Sequence, residues 1–183
     1  MSGRPLRMPA LLLALLSGLV ARPLSAQLSC SFTNSTPCSL TLNVSLTPTD
    51  VLRLTVSTTS SNLGTPVESD YTAGFLAANG PSVTVKANRA FHVALKAGGA
   101  TFGYTPVGGL TNPNKPASDL KWGLTAGGSF TGLTTSDVTA FSGSASPTTA
   151  GTVQAMFYRT SLAYGTDKPG SYSLSVIFTL SAP

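Results

Sequence analysis

Apolar and polar residues alternate along much of this chain with a period of two, the signature of half-buried β-strands. Residues 39–46 (SLTLNVSL) alternate cleanly, putting Leu40, Leu42, Val44 and Leu46 on one face. Pro48-Thr49-Asp50 reads as a turn. In 51–57, Leu52, Leu54 and Val56 form one face. Residues 58–70 are polar and carry Gly64 and Pro66, so they read as a loop. Phe75-Leu76 begins a short strand. Val83 and Val85 face one way before Asn88-Arg89, and Phe91, Val93 and Leu95 do so after it; this fits either a hairpin or one long bent strand.

The alternation continues toward the C-terminus. Residues 120–125 (LKWGLT) form a short strand with the only Trp, and 137–141 (DVTAF) form another. Residues 152–160 (TVQAMFYRT) are apolar on both faces, as in a central strand. The strongest strand is 171–180 (SYSLSVIFTL), with Tyr172, Leu174, Val176, Phe178 and Leu180 facing the core. No segment sustains a 3.6-residue period with caps. Short strands punctuated by Gly, Pro and Asn predict an all-β, antiparallel sandwich, immunoglobulin-like, of about 7–9 strands. The Gly/Ser/Pro/Thr stretch 142–151 is a loop between strands rather than a linker between domains.

Composition sharpens this picture. Charged residues make up 9% of the 183, against a usual ~25%. Coiled coils and helical bundles need many more. Ser and Thr fill the predicted solvent faces instead of charge, and Thr suits strands because it is β-branched. One His and two Cys exclude a zinc finger or a multi-His metal site.

The first 26 residues differ in kind from the rest. Arg4 and Arg7 precede an apolar stretch from Pro9 to Ala21, and Leu24-Ser25-Ala26 offers a small residue before Gln27. That order predicts a secretory signal peptide over 1–26, leaving 27–183 as a single β-sandwich domain. The apolar run is too short for a stable membrane span, which needs about 20 residues. The formal net charge of +5 also changes meaning. Without Arg4, Arg7 and Arg22 the chain keeps eight basic and six acidic residues, a net +2. These are scattered, so the sequence does not predict nucleic-acid binding. The protein is expected to be exported: periplasmic, cell-surface or extracellular.

Export makes the cysteines legible. In an oxidising compartment two close cysteines pair. Read as a hairpin, residues 28–46 place Cys30 and Cys38 on the apolar sides of adjacent strands, with Leu28 and Phe32 beside Cys30. The spacing is not the C-x-x-C of a redox pair. A structural disulfide is expected, worth about 2.5 kcal/mol in the chain-entropy model. Two sequons, at Asn34 and Asn43, matter only in a host that glycosylates exported chains.

The sequence offers little chemistry for catalysis. His92 is the only imidazole, and its inward neighbours Phe91 and Val93 turn it outward. No G-x-S-x-G elbow occurs. Glu68 and Asp70 are the only close carboxylates and lie in a polar loop, suited at best to a weak cation site. No cofactor, metal or enzyme activity is expected. Residues 98–119, with five Gly and three Pro, form a long loop of the kind that often carries function. Phe102 and Tyr104 within it are candidates for an exposed contact surface, or for capping the core.

One resemblance bears on function. Pro169-Gly170-Ser171-Tyr172, followed by Leu174, Val176, Phe178 and Leu180, with Tyr158-Arg159 on the preceding strand, resembles the C-terminal hairpin of secreted bacterial pilin-like subunits. The spore coat protein U and archaic chaperone–usher pilin group is the nearest type. The resemblance implies a pilin-like sandwich. It also implies a non-catalytic surface or appendage component that works by strand or face packing with other protein subunits. A periplasmic chaperone and an usher are implied as partners. The alternative is a soluble adhesive or lectin-like module that holds a surface ligand through the 98–119 loop.

Overall fold

The computed structural model describes Ser31 and residues 38–146 and 148–183. The chain divides into two units, residues 1–47 and 48–183. The signal segment 1–26, Leu28, Cys30 and Phe32 of the expected hairpin, and Asn34 of the first sequon lie outside the described residues. Cys38 is not a free thiol.

The unit from Pro48 onward is an all-β antiparallel sandwich. Its strands are β1 (Leu52–Val56), β2 (Phe75–Ala87), β3 (Phe91–Ala97), β4 (Gly103–Pro106), β5 (Leu120–Gly123), β6 (Thr131–Gly132), β7 (Val138–Gly143), β8 (Thr152–Ser161), β9 (Gly170–Ser173) and β10 (Val176–Ser181). That is ten strands, against an expected seven to nine. One sheet runs β1-β2-β8-β5-β6, a second β10-β3-β7, and a small ladder joins β4 to β9. The core is built from alternate positions: Val83 and Val85 of β2, Phe91, Val93 and Leu95 of β3, and Met156 and Tyr158 of β8. Phe91 meets Phe141 of β7 edge to face, with ring centroids 6.3 Å apart.

The central strand expected at 152–160 is β8, bonded to β2 on one side and β5 on the other. Other details differ. Residues 83–95 are neither a hairpin nor one bent strand. The chain crosses from one sheet to the other at Asn88–Ala90, so β2 pairs with β1 and β8, and β3 with β7 and β10. Crossing keeps Val83, Val85, Phe91, Val93 and Leu95 pointing into one core from opposite layers.

The strand expected over 171–180 is two strands. Tyr172 pairs with Tyr104 in β9, and the chain then breaks at Leu174–Ser175 and joins the other sheet as β10. The Ser175 carbonyl accepts the Gly98 N–H at 2.8 Å at this break. The short strand at Phe75 is the start of the long β2, whose register shifts between Asn79 and Ser82. A Cβ at Gly80 would lie 2.8 Å from the Tyr158 ring, so only glycine lets the bulge close there.

The polar stretch 58–70 ends in a helix that the pattern did not predict, α1 (Glu68–Ala73). At six residues it is too short to show a period. Its signals are local. The Asp70 carboxylate accepts the Val67 N–H at 2.8 Å, and Gly74 ends the helix at φ +77°.

Candidate functional site

The expected strand 39–46 is the main departure from the sequence reading. Residues 38–47 hold no regular secondary structure and join no sheet. Their apolar face is open: Leu40 is 52% exposed, Leu42 79%, Val44 84% and Leu46 86%. Alternation predicts an extended, two-faced segment. It does not carry the identity of the neighbouring strand, and here no neighbour within the described residues takes that role.

A complementary deficiency lies in the sandwich. Among the described residues, β10 is the end strand of its sheet and is bonded only to β3. Among them too, β1 is the end strand of the other sheet and is bonded only to β2. The two end strands lie against each other across the sandwich. On β3, Val93 and Leu95 are fully buried. Their register partners on β10, Leu180 and Phe178, are only half-buried, as is Val176. The same step occurs in the other sheet: Val83 and Val85 are fully buried, and their partners Val56 and Leu54 are half-buried. One strand spacing, about 4.8 Å, separates a closed core from an open seam on both layers.

The open edge is polar on its outer face, where Thr179 and Ser181 alternate with an exposed Ile177. No Pro or bulge interrupts β10. On its outer face Thr179 Oγ1 donates to Asp137 Oδ1 at 3.5 Å, and Asp137 pairs with Lys96 at 3.1 Å. The seam therefore offers an unpaired backbone edge beside incompletely covered apolar side chains. Such an edge can accept another extended strand.

The other candidates fall elsewhere. Phe102 does not form a contact surface: it is 6% exposed and packs edge to face on Tyr172, 6.3 Å between centroids. Tyr104 is half-buried on β4, its ring tilted against Tyr172 with centroids 4.9 Å apart, and its hydroxyl donates to the Pro169 carbonyl at 2.7 Å. The reason is pairing: the 98–119 segment is not one loop but supplies β4, which zips onto β9 and turns both rings inward. Tyr172, Leu174, Val176, Phe178 and Leu180 all pack against the core, each half-buried.

His92 lies on β3 in register with Ser142 and Ser181. Glu68 and Asp70 do not share the face of an extended loop, because both sit in the first turn of α1, where Asp70 serves as a cap. Among the described residues, no three or more His, Cys, Asp or Glu come together in a way that could hold a metal. No helix among them is long and apolar enough to cross a membrane.

One polar cluster escaped the sequence reading. Lys115 and Asp167 meet below the surface with Asp119, partly exposed, at the rim: Lys115 Nζ is 2.6 Å from Asp167 Oδ1 and 3.1 Å from Asp119 Oδ2. Lys115 and Asp167 are 52 positions apart, and no local pattern links them.

The chain matches no family model and no curated protein.

Proposed function

We propose that this protein is a secreted, non-catalytic structural subunit of a surface or appendage assembly, pilin-like in organisation, and that copies join by strand pairing. The 38–47 segment of one copy lies along the open β1/β10 seam of the next. One observation carries the reading: Leu40, Leu42, Val44 and Leu46 form an exposed apolar face on a segment with no sheet of its own. A buried strand has that pattern, and burying four such side chains is worth about 1.5–3 kcal/mol each. The half-buried Val176, Phe178 and Leu180 supply a matching apolar row. The signal-peptide pattern and the resemblance of the C-terminal residues to pilin-like subunits agree with it. An export chaperone and an usher fit as partners, since an uncovered edge needs shielding before assembly.

The adhesive alternative gains no support from the 98–119 segment, because Phe102 and Tyr104 are turned inward. The test is a gel of secreted protein loaded without boiling. The expected result is an SDS-resistant ladder that collapses to monomer on boiling. A Leu42→Asp, Val44→Asp double substitution is expected to remove the ladder while the monomer stays folded. A lone monomer band from the unaltered protein under all growth conditions would sink the proposal.

A further inference from the structure

The buried Lys115–Asp167 contact plays no part in strand pairing. Four ion pairs are found among the described residues, and this is the one with both side chains buried, 6% and 4% exposed. Both groups are held by backbone. The Lys115 carbonyl accepts the Phe102 N–H at 2.8 Å, and the Ala117 N–H donates to the Ala100 carbonyl at 2.8 Å. Asp167 closes a tight turn, its N–H donating to the Ala163 carbonyl at 3.0 Å. Its Oδ2 accepts the Ala163 N–H at 2.8 Å. Lys115 Nζ also donates to the Ser161 carbonyl at 2.6 Å.

We infer that Lys115 and Asp167 condense into an intramolecular isopeptide bond, with Asp119 as the proton carrier. Nζ sits 2.6 Å from Oδ1, so the nitrogen and the carboxyl group it must attack are already in contact, as a near-attack arrangement requires. The reaction starts with one proton passing along the 2.6 Å contact from Nζ to Asp167 Oδ1, which frees the nitrogen lone pair. The Nζ lone pair attacks Cγ and forms the C–N bond. The developing negative charge on Oδ2 is met by the Ala163 N–H already aimed at it. The Asp119 carboxylate, 3.1 Å from Nζ, takes a second nitrogen proton and passes it to the departing oxygen. The Cγ–Oδ1 bond breaks, and one water leaves. One ammonium and one carboxylate become one amide and one water, no electrons change hands, and Asp119 ends as it began.

The product satisfies the site. The remaining Nζ–H keeps the Ser161 carbonyl, and Oδ2 keeps the Ala163 N–H. Two buried charges are replaced by a neutral amide, and the water released cannot easily return to a closed site. The cross-link ties the segment before β5 to the β8–β9 connection across 52 positions.

The experiment is an intact-mass measurement on the folded, secreted protein after reduction, followed by digestion. The expected mass is lower than the sum of the residues by one water, with a branched peptide joining Lys115 to Asp167. Lys115→Met and Asp167→Ala are each expected to restore the full mass. Asp119→Asn keeps both reacting groups and is expected to slow formation of the lighter species roughly a hundredfold. Full mass in the folded, unaltered protein overturns the inference. So does a lighter mass that persists in Lys115→Met, which would mark dehydration of an aspartate alone. Should either partner variant fail to fold, the digest of the unaltered protein decides, since only the isopeptide yields the branched peptide. An Asp119→Asn rate equal to that of the unaltered protein removes Asp119 from the reaction. All of these readouts need only monomer, so they stand apart from the outcome of the ladder test.

Discussion

Residues 39–46 and 176–181 have nearly the same pattern, with apolar side chains at every second position and, apart from Ile177, Ser, Thr or Asn between. One is a strand paired with β3; the other joins no sheet. The difference lies in what stands beside each. Val176, Phe178 and Leu180 meet Ala97, Leu95 and Val93 in register. Leu40, Leu42, Val44 and Leu46 remain exposed. Period two encodes readiness to pair, while the partner is set by the rest of the fold, in the same chain or another. β10 itself sits between the extremes, paired on one side and open on the other.

That gradient, from core to edge to unpaired segment, can be tested by truncation. Leu95→Ala, at the fully buried centre of β3, is expected to cost about 2–5 kcal/mol of monomer stability in a denaturant titration. A cost close to that of an edge position would mean the centre is not the core of the unit.

Tyrosine ionisation probes the same centre. Burial pushes Tyr158 up from 10.0 to about 12. Its neutral form is favoured in the folded state, so the contribution is fully present below pH 10 and is lost as pH rises toward 12. Linkage puts that loss at about 2–3 kcal/mol. A phenolate absorbance titration should show a late-ionising phase that Tyr158→Phe removes, and Tyr158→Phe should flatten the alkaline fall in stability. Tyr158 ionising with the exposed tyrosines would contradict the burial.

At the edge, Leu180→Ala is expected to cost roughly 1–2 kcal/mol, because its side chain is only partly removed from water. In the unpaired segment, Leu42→Ser should leave monomer stability within about 0.5 kcal/mol. Assembly should show the reverse emphasis: Leu42→Ser is expected to weaken the ladder on unboiled gels while sparing the monomer. Equal effects of Leu180→Ala and Leu42→Ser on the monomer would erase the distinction between the two stretches.

The fold class was legible because Thr and Ser on one face and Val, Leu and Phe on the other leave few alternatives to a sandwich. β8 was recognisable as central from apolar residues on both faces. Two kinds of feature were not legible. The first is partner choice: the break at Leu174–Ser175, the sheet change at Asn88–Ala90 and the failure of residues 39–46 to join a sheet are decided by tertiary packing. Phe102 belongs here too, since its inward turn follows from the β4–β9 pairing. The second is long-range chemistry. Lys115 lies among prolines, and Asp167 lies in a turn before Lys168-Pro169. Only the fold brings them together. The helix at Glu68–Ala73 had a local signal in Asp70 and Gly74, but six residues give no periodicity to read.

Trp122 is the sole tryptophan, 6% exposed on β5, and its indole N–H has no hydrogen-bond partner. An indole in apolar surroundings without a polar neighbour emits at short wavelength and is poorly reached by dissolved quenchers. It therefore acts as a built-in optical reporter of the five-stranded sheet, shifting to the red when that sheet opens.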